Sequence, residues 1–311
     1  MNPRYATIDI GTNTVLLLVA EWNEDGTFAP IAERAEITRL GRGVDESRML
    51  SVRGMEDTLR VLAAFVEDAH RFGASQIVVS ATSAARDATN GDDFLKAAEG
   101  HAGVRPEVIS GDREAHLTFK AVFHDFGRRD PRRPLVVIDI GGGSTEFVYG
   151  GLDRSSGIAF RRSFDVGSVR LTERYIATDP VADPERDRVV NQLRSVLRLP
   201  PPPAEFQLVG VAGTVTTLYA VEHRIDPYDA RRVHGGTLRL GQLRQLLLRL
   251  CAMPLAQRRT LQGLDPKRAD VICAGGLILQ TAMELLNADE CTVSDRGLRW
   301  GLLLERFGTV Q

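Results

Sequence analysis

The stretch VVIDIGGGSTEFV, residues 136–148, has a counterpart near the start of the chain, YATIDIGTNTVLLLV, residues 5–19. In each, an apolar run ends in Asp-Ile-Gly, turns through small polar residues and re-enters an apolar run. The two aspartates, Asp9 and Asp139, lie 130 positions apart (139 minus 9). β-Rich runs on either side of a glycine-containing turn predict a strand–turn–strand unit. Two such units predict a duplicated architecture with something held between the copies.

Working outward, residues 5–10 and 15–21 are predicted as paired strands around the Gly11–Thr14 turn. Residues 51–72 carry apolar side chains at helical spacing (Leu59, Leu62, Phe65, Val66, Ala69) and stop at Gly73. A buried strand follows at 76–80, a helix at 92–101, an extended piece at 107–110 and a helix at 112–126. The basic, proline-bracketed GRRDPRRP, 127–134, reads as a boundary. It divides the chain into domains 1–127 and 128–311, with the C-terminal helix, about 298–311, a candidate to rejoin the first. The second half restarts with strands at 135–140 and 146–150, an extended piece near 158–164 and a helix at 183–197, cut off by the stiff LPPPPAEF. A strand at 207–212, a helix from about Thr214, helices at 241–251 and 266–286, and a strand, turn and helix within CTVSDRGLRWGLLLERF complete it. Strands interleaved with helices in both halves predict an α/β protein.

Composition narrows the function class. Of 311 residues, 43% are hydrophobic and 26% charged, the balance of an ordinary globular protein. No apolar run reaches the roughly 20 residues of a membrane span, and Val15–Ala20 is too short for the core of a signal peptide. The three cysteines, Cys251, Cys273 and Cys291, suit neither a disulfide framework nor a CxxC metal knuckle, so a reducing, cytoplasmic setting is expected. A net charge of −2 offers no general attraction to nucleic acid or to a membrane surface. Of the 39 basic residues, all but Lys96, Lys120 and Lys267 are arginines, whose planar fork suits phosphate oxygens. A GC-rich genome produces the same bias, so phosphate binding has to rest on placed residues. The six histidines, His70, His101, His116, His124, His223 and His234, show no ligand spacing with a carboxylate and read as surface or packing residues.

The glycine turns are such placed residues. In DIGTNT and DIGGGST the glycines let backbone amides crowd a small anion, and the Thr and Ser hydroxyls add donors. Gly11, Thr12, Asn13 and Thr14 make the first cradle; Gly141, Gly142, Gly143, Ser144 and Thr145 make the second. LVGVAGTVTTL, 208–218, adds a third at Gly213 and Thr214, where a strand gives way to a helix whose first amides also attract anions. The aspartate before each of the first two turns stands at a strand's carboxyl end, where it suits Mg²⁺ together with phosphate oxygens. Neither GxxxxGK[ST] nor a GxGxxG that opens a helix occurs. In VISGDREAHLTF, 108–119, Glu114 falls in the first turn of a helix that Ser110 or Asp112 caps. A carboxylate there gains from the helix dipole and suits a general base, although acidic residues in first turns also serve stability alone.

The blocks IDIGTNT, SATSAARDATNG, VISGDREA, VIDIGGGSTEFV, DVGSVRLTERY, VAGTVTTL, RVHGGTL, LDPKRADVICAGGLIL and SDRGLRWGLL occur in this order from residue 5 to about 304. Together they resemble the exopolyphosphatase/guanosine-pentaphosphate phosphohydrolase (Ppx/GppA) family. That resemblance implies two ribonuclease-H-like domains of the actin, sugar-kinase and heat-shock-chaperone superfamily, with the active site in the cleft between them. It implies Mg²⁺-dependent hydrolysis of the terminal phosphoanhydride of inorganic polyphosphate, of guanosine pentaphosphate (pppGpp), or of both. Glu114 matches the glutamate that activates water. Asp139, Gly141 and Glu146 match residues of the metal and phosphate site, and Asp9 stands at the first loop. Arg86 in TSAARDA matches a basic residue close to the site, and Arg268 is a further candidate for gripping polyphosphate. The family often writes a basic or polar residue after the first loop; Leu16 fills that place here. Longer members continue into a helical domain, so a chain of 311 residues resembles the short form, for which a preference for short polyphosphate and a possible homodimer are expected. Competing readings are a pppGpp phosphohydrolase, a small-molecule kinase of the same superfamily and an actin-like filament protein.

Overall fold

The computed structural model describes residues 2–127, 133–151 and 157–308. Most of the basic stretch read as a boundary, residues 128–132, lies outside the described residues. The chain divides into two compact units, Met1–Ala121 with Leu298–Gln311, and Val122–Gly297.

The first unit is built on β1 (Arg4–Ile10), β2 (Thr14–Trp22), β3 (Phe28–Ile37), β4 (Gln76–Ala81) and β5 (Glu107–Val108). They form one sheet in the order β3-β2-β1-β4-β5, with β1, β2 and β3 antiparallel and β4 and β5 parallel to β1. Alternation along β1 sends Ala6, Ile8 and Ile10 into a core completed by Leu62, Phe65 and Ala69 of the helix Val52–Arg71. Ser51 caps that helix by accepting from the Gly54 amide. On the other side, Leu18 and Ala20 of β2 pack with Trp300 and Leu303 of the helix Leu298–Arg306. Thr7 of β1 donates to the Arg299 carbonyl at 2.9 Å, and Arg299 pairs with Glu33. Gly301 lies so close to the helix Gly111–Val122 that a Cβ there would stand 1.9 Å from the Leu117 carbonyl oxygen.

The second unit contains β6 (Leu135–Ile140), β7 (Thr145–Gly150), β8 (Ile158–Phe164), β9 (Gln207–Val211), β10 (Thr237–Arg239) and β11 (Glu290–Val293). Its sheet runs β10-β11-β9-β6-β7-β8. Read from β8 inward, that is the order of the first unit with β10 added at the far edge. An antiparallel meander is followed by strands parallel to the first, which is the ribonuclease-H-like arrangement. Helices Asp183–Val196, Ala212–Glu222, Leu240–Ala252 and Ile272–Leu285 cover it and fill one large core.

Three departures from the sequence reading have physical causes. β3 went unread because Pro30, Glu33, Arg34 and Glu36 break its apolar alternation; it is an edge strand that tolerates them, with a register shift at Val19/Ala20. The helix expected over 266–286 is two elements, a 3₁₀ turn Pro266–Arg268 and the helix Ile272–Leu285. Asp265 starts the turn by accepting from the Lys267 amide at 2.8 Å. The helix expected over 112–126 is α-helical from Gly111 to Val122 and continues as a π turn, Phe123–Gly127.

Candidate active site

Both glycine turns close in the same way. The Gly11 amide donates to the Thr14 carbonyl at 3.0 Å, and the Gly141 amide to the Ser144 carbonyl at 3.0 Å. A Cβ on Gly11 would meet that oxygen at 3.0 Å, and one on Gly141 at 3.1 Å, so each turn is tight at its glycine. The segment after the third strand of each meander then fastens the turn's carbonyls. In the first unit the Gly41 amide donates to Thr12 O at 2.8 Å, and the Thr38 and Arg39 amides donate to Asn13 O at 3.1 and 3.0 Å. In the second, the Ser168 amide donates to Gly141 O at 3.0 Å, and the Val169 and Arg170 amides to Gly142 O at 2.9 and 3.1 Å. Arg170 Nε completes the set by donating to Gly143 O at 2.8 Å.

A trans peptide is planar, with its C=O and N–H on opposite sides. Carbonyls tied back against 38–41 therefore turn the Asn13 and Thr14 amides outward, and carbonyls tied against 167–170 do so for Gly142, Gly143 and Ser144. Among the described residues, the amides of Thr12, Asn13, Gly142 and Gly143 donate to no protein group. A row of outward amides on a glycine turn is an anion-binding nest.

The acidic residues flank these turns. In β1, Asp9 pairs in register with Leu16 of β2; in β6, Asp139 pairs with Glu146 of β7. Directly opposite residues of antiparallel strands share a face, with Cβ atoms about 4.5–5.5 Å apart. Asp139 and Glu146 are thus two buried carboxylates side by side, 7% and 1% exposed. Glu146 Oε1 accepts from Ser163 Oγ of β8 at 2.7 Å. Two adjacent buried carboxylates repel unless a cation or proton joins them, and their hard oxygen donors suit Mg²⁺. Among the described residues, no group of three or more His, Cys, Asp or Glu forms a closed metal cage. The fit is to a hard ion that keeps most of its shell for water and phosphate oxygens, as Mg²⁺ does.

Glu114 sits in the first turn of the helix Gly111–Val122. Of the two capping candidates the structure uses Ser110, whose Oγ accepts from the Arg113 amide at 3.2 Å. Arg86 comes from a short helix, Ser83–Asp87. Its Nη1 donates to Ile109 O at 3.0 Å and lies 3.9 Å from Glu114 Oε2. The first unit thus brings Arg86 and Glu114 together at the end of β5.

The third turn and Arg268 also meet. Ala212, at φ 70°, opens the helix Ala212–Glu222, and the Arg268 guanidinium lies directly over Gly213. A Cβ on Gly213 would stand 1.5 Å from Arg268 Nη1. Burial lowers the Arg268 guanidinium from its ordinary value, opposed by the charges of Asp265, Tyr228 and Asp295. This cradle is already filled by a cation of the protein's own.

The histidines hold one surprise. Asp125, in the π turn, lies 3.1 Å from His124 Nδ1, 3.0 Å from Arg296 Nη1 and 3.7 Å from His234 Nε2. Burial raises its carboxyl, but the His124 hydrogen bond and the charges of Arg296 and His234 outweigh that and hold it below the usual range. The sequence reading found no carboxylate at ligand spacing; the fold supplies one for two histidines. The other residues it missed are Arg170, Ser163, Gly41 and Gly167. Their signal was a second repeat, a glycine shortly after the third strand in TRLGRG and DVGSVR.

Comparison with known proteins identifies the family of the chain. The model of the Ppx/GppA phosphatase family matches residues 18–309. The chain is 34% identical to a bifunctional 3-dehydroquinate synthase/phosphatase of Fusobacterium nucleatum, an alignment covering 96% of this chain and 46% of that protein. It therefore spans about half the length of that relative. It is also 34% identical to exopolyphosphatase 2 of Mycobacterium tuberculosis, across 98% of this chain and 99% of that one. The crystal structure of the Aquifex aeolicus member of the Ppx/GppA family matches with a TM-score of 0.81 at 33% identity, covering 98% of this chain and 97% of that one.

Proposed function

Because the chain belongs to the Ppx/GppA phosphatase family, we propose that this phosphoanhydride hydrolase acts as an exopolyphosphatase, releasing the terminal phosphate of inorganic polyphosphate with Mg²⁺. The observation that carries the reading is the pair of glycine turns whose carbonyls are tied back and whose amides face outward. Such donors recognise anionic oxygens, as phosphate presents them, and read no base.

In this reading Glu114 orients a water and takes its proton as the water attacks the terminal phosphorus in line. Arg86 fixes the direction of Glu114 and lends positive charge beside it. The amides of Thr12, Asn13, Gly142 and Gly143 hold the phosphoryl oxygens and stabilise the charge that builds on them. Ser144, Thr145 and Thr14 add hydroxyls at the turns, although Thr145 already donates to Val166 O at 2.6 Å and is better seen as a brace. Mg²⁺ bound through Asp139 and Glu146 would neutralise charge on the phosphate oxygens, and Asp9 is the corresponding carboxylate of the first unit. The Gly213–Thr214 turn, already filled by Arg268, would serve the polyphosphate tail only through that guanidinium.

Phosphate release from short polyphosphate, long polyphosphate and pppGpp, measured side by side with Mg²⁺ and again with a chelator, tests it. Faster release from polyphosphate that the chelator abolishes supports the reading. A clear preference for the nucleotide overturns the substrate, and release unaffected by the chelator overturns the role of Asp139 and Glu146.

A further inference from the structure

Cys251 and Cys273, 22 positions apart in sequence (273 minus 251), lie on neighbouring helices of the second unit. Cys251 is the penultimate residue of the helix Leu240–Ala252, and Cys273 the second of the helix Ile272–Leu285. Both are buried, and the two helices pack closely one turn away from each sulfur, where a Cβ on Gly276 would stand 2.2 Å from Leu247 Cδ2. A third group joins them. Arg258, only 3% exposed, donates from Nη1 to Cys273 Sγ at 2.7 Å and from Nη2 to Asp179 Oδ1 at 3.1 Å. The Asp179 carboxylate also accepts the Leu255 amide at 2.8 Å and remains half exposed.

A buried guanidinium is strongly unfavourable unless negative charge faces it closely. Asp179 meets that need only in part, because it is also open to water. The nearest candidate for the remainder is the Cys273 sulfur. Its place in the first turn of a helix adds the pull of that helix's amide end. The neighbouring Cys251 thiol lowers the Cys273 thiol, burial opposes this, and the Arg258 charge and hydrogen bond lower it further. The Cys273 sulfur, together with burial, raises Cys251, with Arg186 and Arg258 opposing. Of the two sulfurs, Cys273 is the one whose charged form the Arg258 guanidinium favours. None of these groups takes part in the phosphate chemistry above.

We propose that Cys251 and Cys273 are an oxidisable dithiol, converted to a disulfide by small hydroperoxides, with Cys273 as the attacking sulfur and Arg258 as its charge partner. The Cys273 thiolate attacks one peroxide oxygen; the O–O bond breaks, and the departing hydroxide takes a proton from solvent to become water. The resulting sulfenic acid is attacked by the Cys251 sulfur, the S–S bond forms, and the sulfenic oxygen leaves as water with the Cys251 proton. Two thiols and one hydrogen peroxide give one disulfide and two waters. The entry point is the pair of helix ends, where hydrogen bonding is first to open. Two residues beyond Cys273, Gly275 packs against Thr214 and Ser168, so that a Cβ there would stand 2.7 Å from Thr214 Cγ2. A shift at the start of this helix is therefore felt at the third turn and at the segment bracing the second. Its effect on phosphate release rests on the exopolyphosphatase reading; the disulfide does not.

The test treats the purified full chain with hydrogen peroxide and counts thiols after denaturation. Expected are a fall from three free thiols to one, a mass lower by two hydrogens, a Cys251–Cys273 cross-linked peptide and recovery with a dithiol reductant. Cys291→Ala is expected to form the same disulfide. Arg258→Gln is expected to slow its formation at least ~10-fold at neutral pH, with Arg258→Lys between the two, by loss of thiolate character. If Arg258→Gln fails to fold, the pH profile of the unsubstituted chain decides. A rate nearly flat between pH 7 and 8 supports a preformed thiolate, and a rise of about tenfold marks an ordinary thiol and overturns it. Three thiols surviving treatment, oxidation confined to Cys291, or an unchanged rate in a folded Arg258→Gln chain overturns the proposal. Thiol counts are read without any phosphatase assay, so a failure here is distinct from a failure of the substrate reading.

Discussion

The turn at Gly11–Thr14 and the turn at Gly141–Ser144 share a backbone and differ in their side chains. Each is closed by a 3.0 Å hydrogen bond from its glycine, and each is tied down by the segment that follows the third strand. At the position paired with the turn's aspartate, the first unit has Leu16 and the second has Glu146. Those residues are themselves counterparts, 130 positions apart (146 minus 16), the same offset as the aspartates. Anion binding by amides would depend only on the path of the chain, which both copies share. Cation binding would call for a pair of carboxylates, and at these paired positions the second copy alone has one. The difference separates two tasks that one residue pattern seemed to combine.

The most severe break in this symmetry is expected from the unit without the carboxylate pair. If the first unit supplies the general base, Glu114→Gln lowers kcat by ~10²–10⁴ while leaving polyphosphate binding near normal. Steady-state phosphate release together with binding to a catalytically dead chain checks both halves of that statement. A Glu114→Gln enzyme with ordinary turnover removes the first unit from the chemistry. Next in size is the ion. Asp139→Asn is expected to raise the Mg²⁺ concentration needed for half-maximal activity roughly 10–100-fold, and Glu146→Gln by a similar factor. Asp9→Asn, whose strand partner is a leucine, should shift it less. The gain in Tm on adding Mg²⁺ gives a second readout that needs no turnover. Equal shifts from Asp9→Asn and Asp139→Asn would mean that the side-chain difference between the two turns does not set the ion's position.

The backbone symmetry was legible in the sequence because it rests on glycine and on strand alternation, both of which are local. Asp9, Asp139, the two turns and the strands around them could be read directly. Glu114 and its helix start were legible for the same reason, although choosing Ser110 over Asp112 as the cap needed coordinates. What stayed hidden depends on contacts between distant positions. Arg170 bonds to Gly143, Ser163 to Glu146, and Arg268 covers Gly213 across 55 positions (268 minus 213). No periodicity encodes such pairings. β3 was hidden for the opposite reason, since an edge strand may carry Glu33, Arg34 and Glu36 without penalty and so loses the pattern by which strands are recognised.

The braces behind the turns offer a finer contrast. A Cβ on Gly41 would stand 2.3 Å from Thr12 Cγ2, a methyl that can turn about χ1, whereas one on Gly167 would stand 2.3 Å from the Gly142 carbonyl oxygen and 2.4 Å from its carbon. Backbone has nowhere to rotate. Gly167→Ala should therefore destabilise the chain by roughly 1–3 kcal/mol, and Gly41→Ala by less, seen as a larger fall in denaturation midpoint for Gly167→Ala. Equal losses would show that the first turn is as rigidly backed as the second.

The smallest effect, and the most specific, is expected at Arg170. Its main-chain amide bonds to Gly142 and its Nε to Gly143, so the side chain fixes one further peptide of the second turn. Arg170→Lys removes a donor of defined direction but keeps the charge. If the guanidinium matters because it aims the Ser144 amide, KM for polyphosphate should rise about 3–10-fold, the cost of one weakened hydrogen bond, with kcat and Tm little changed. A variant that loses stability and kcat together would make Arg170 part of the scaffold, and the second turn would then aim its amides by main chain alone.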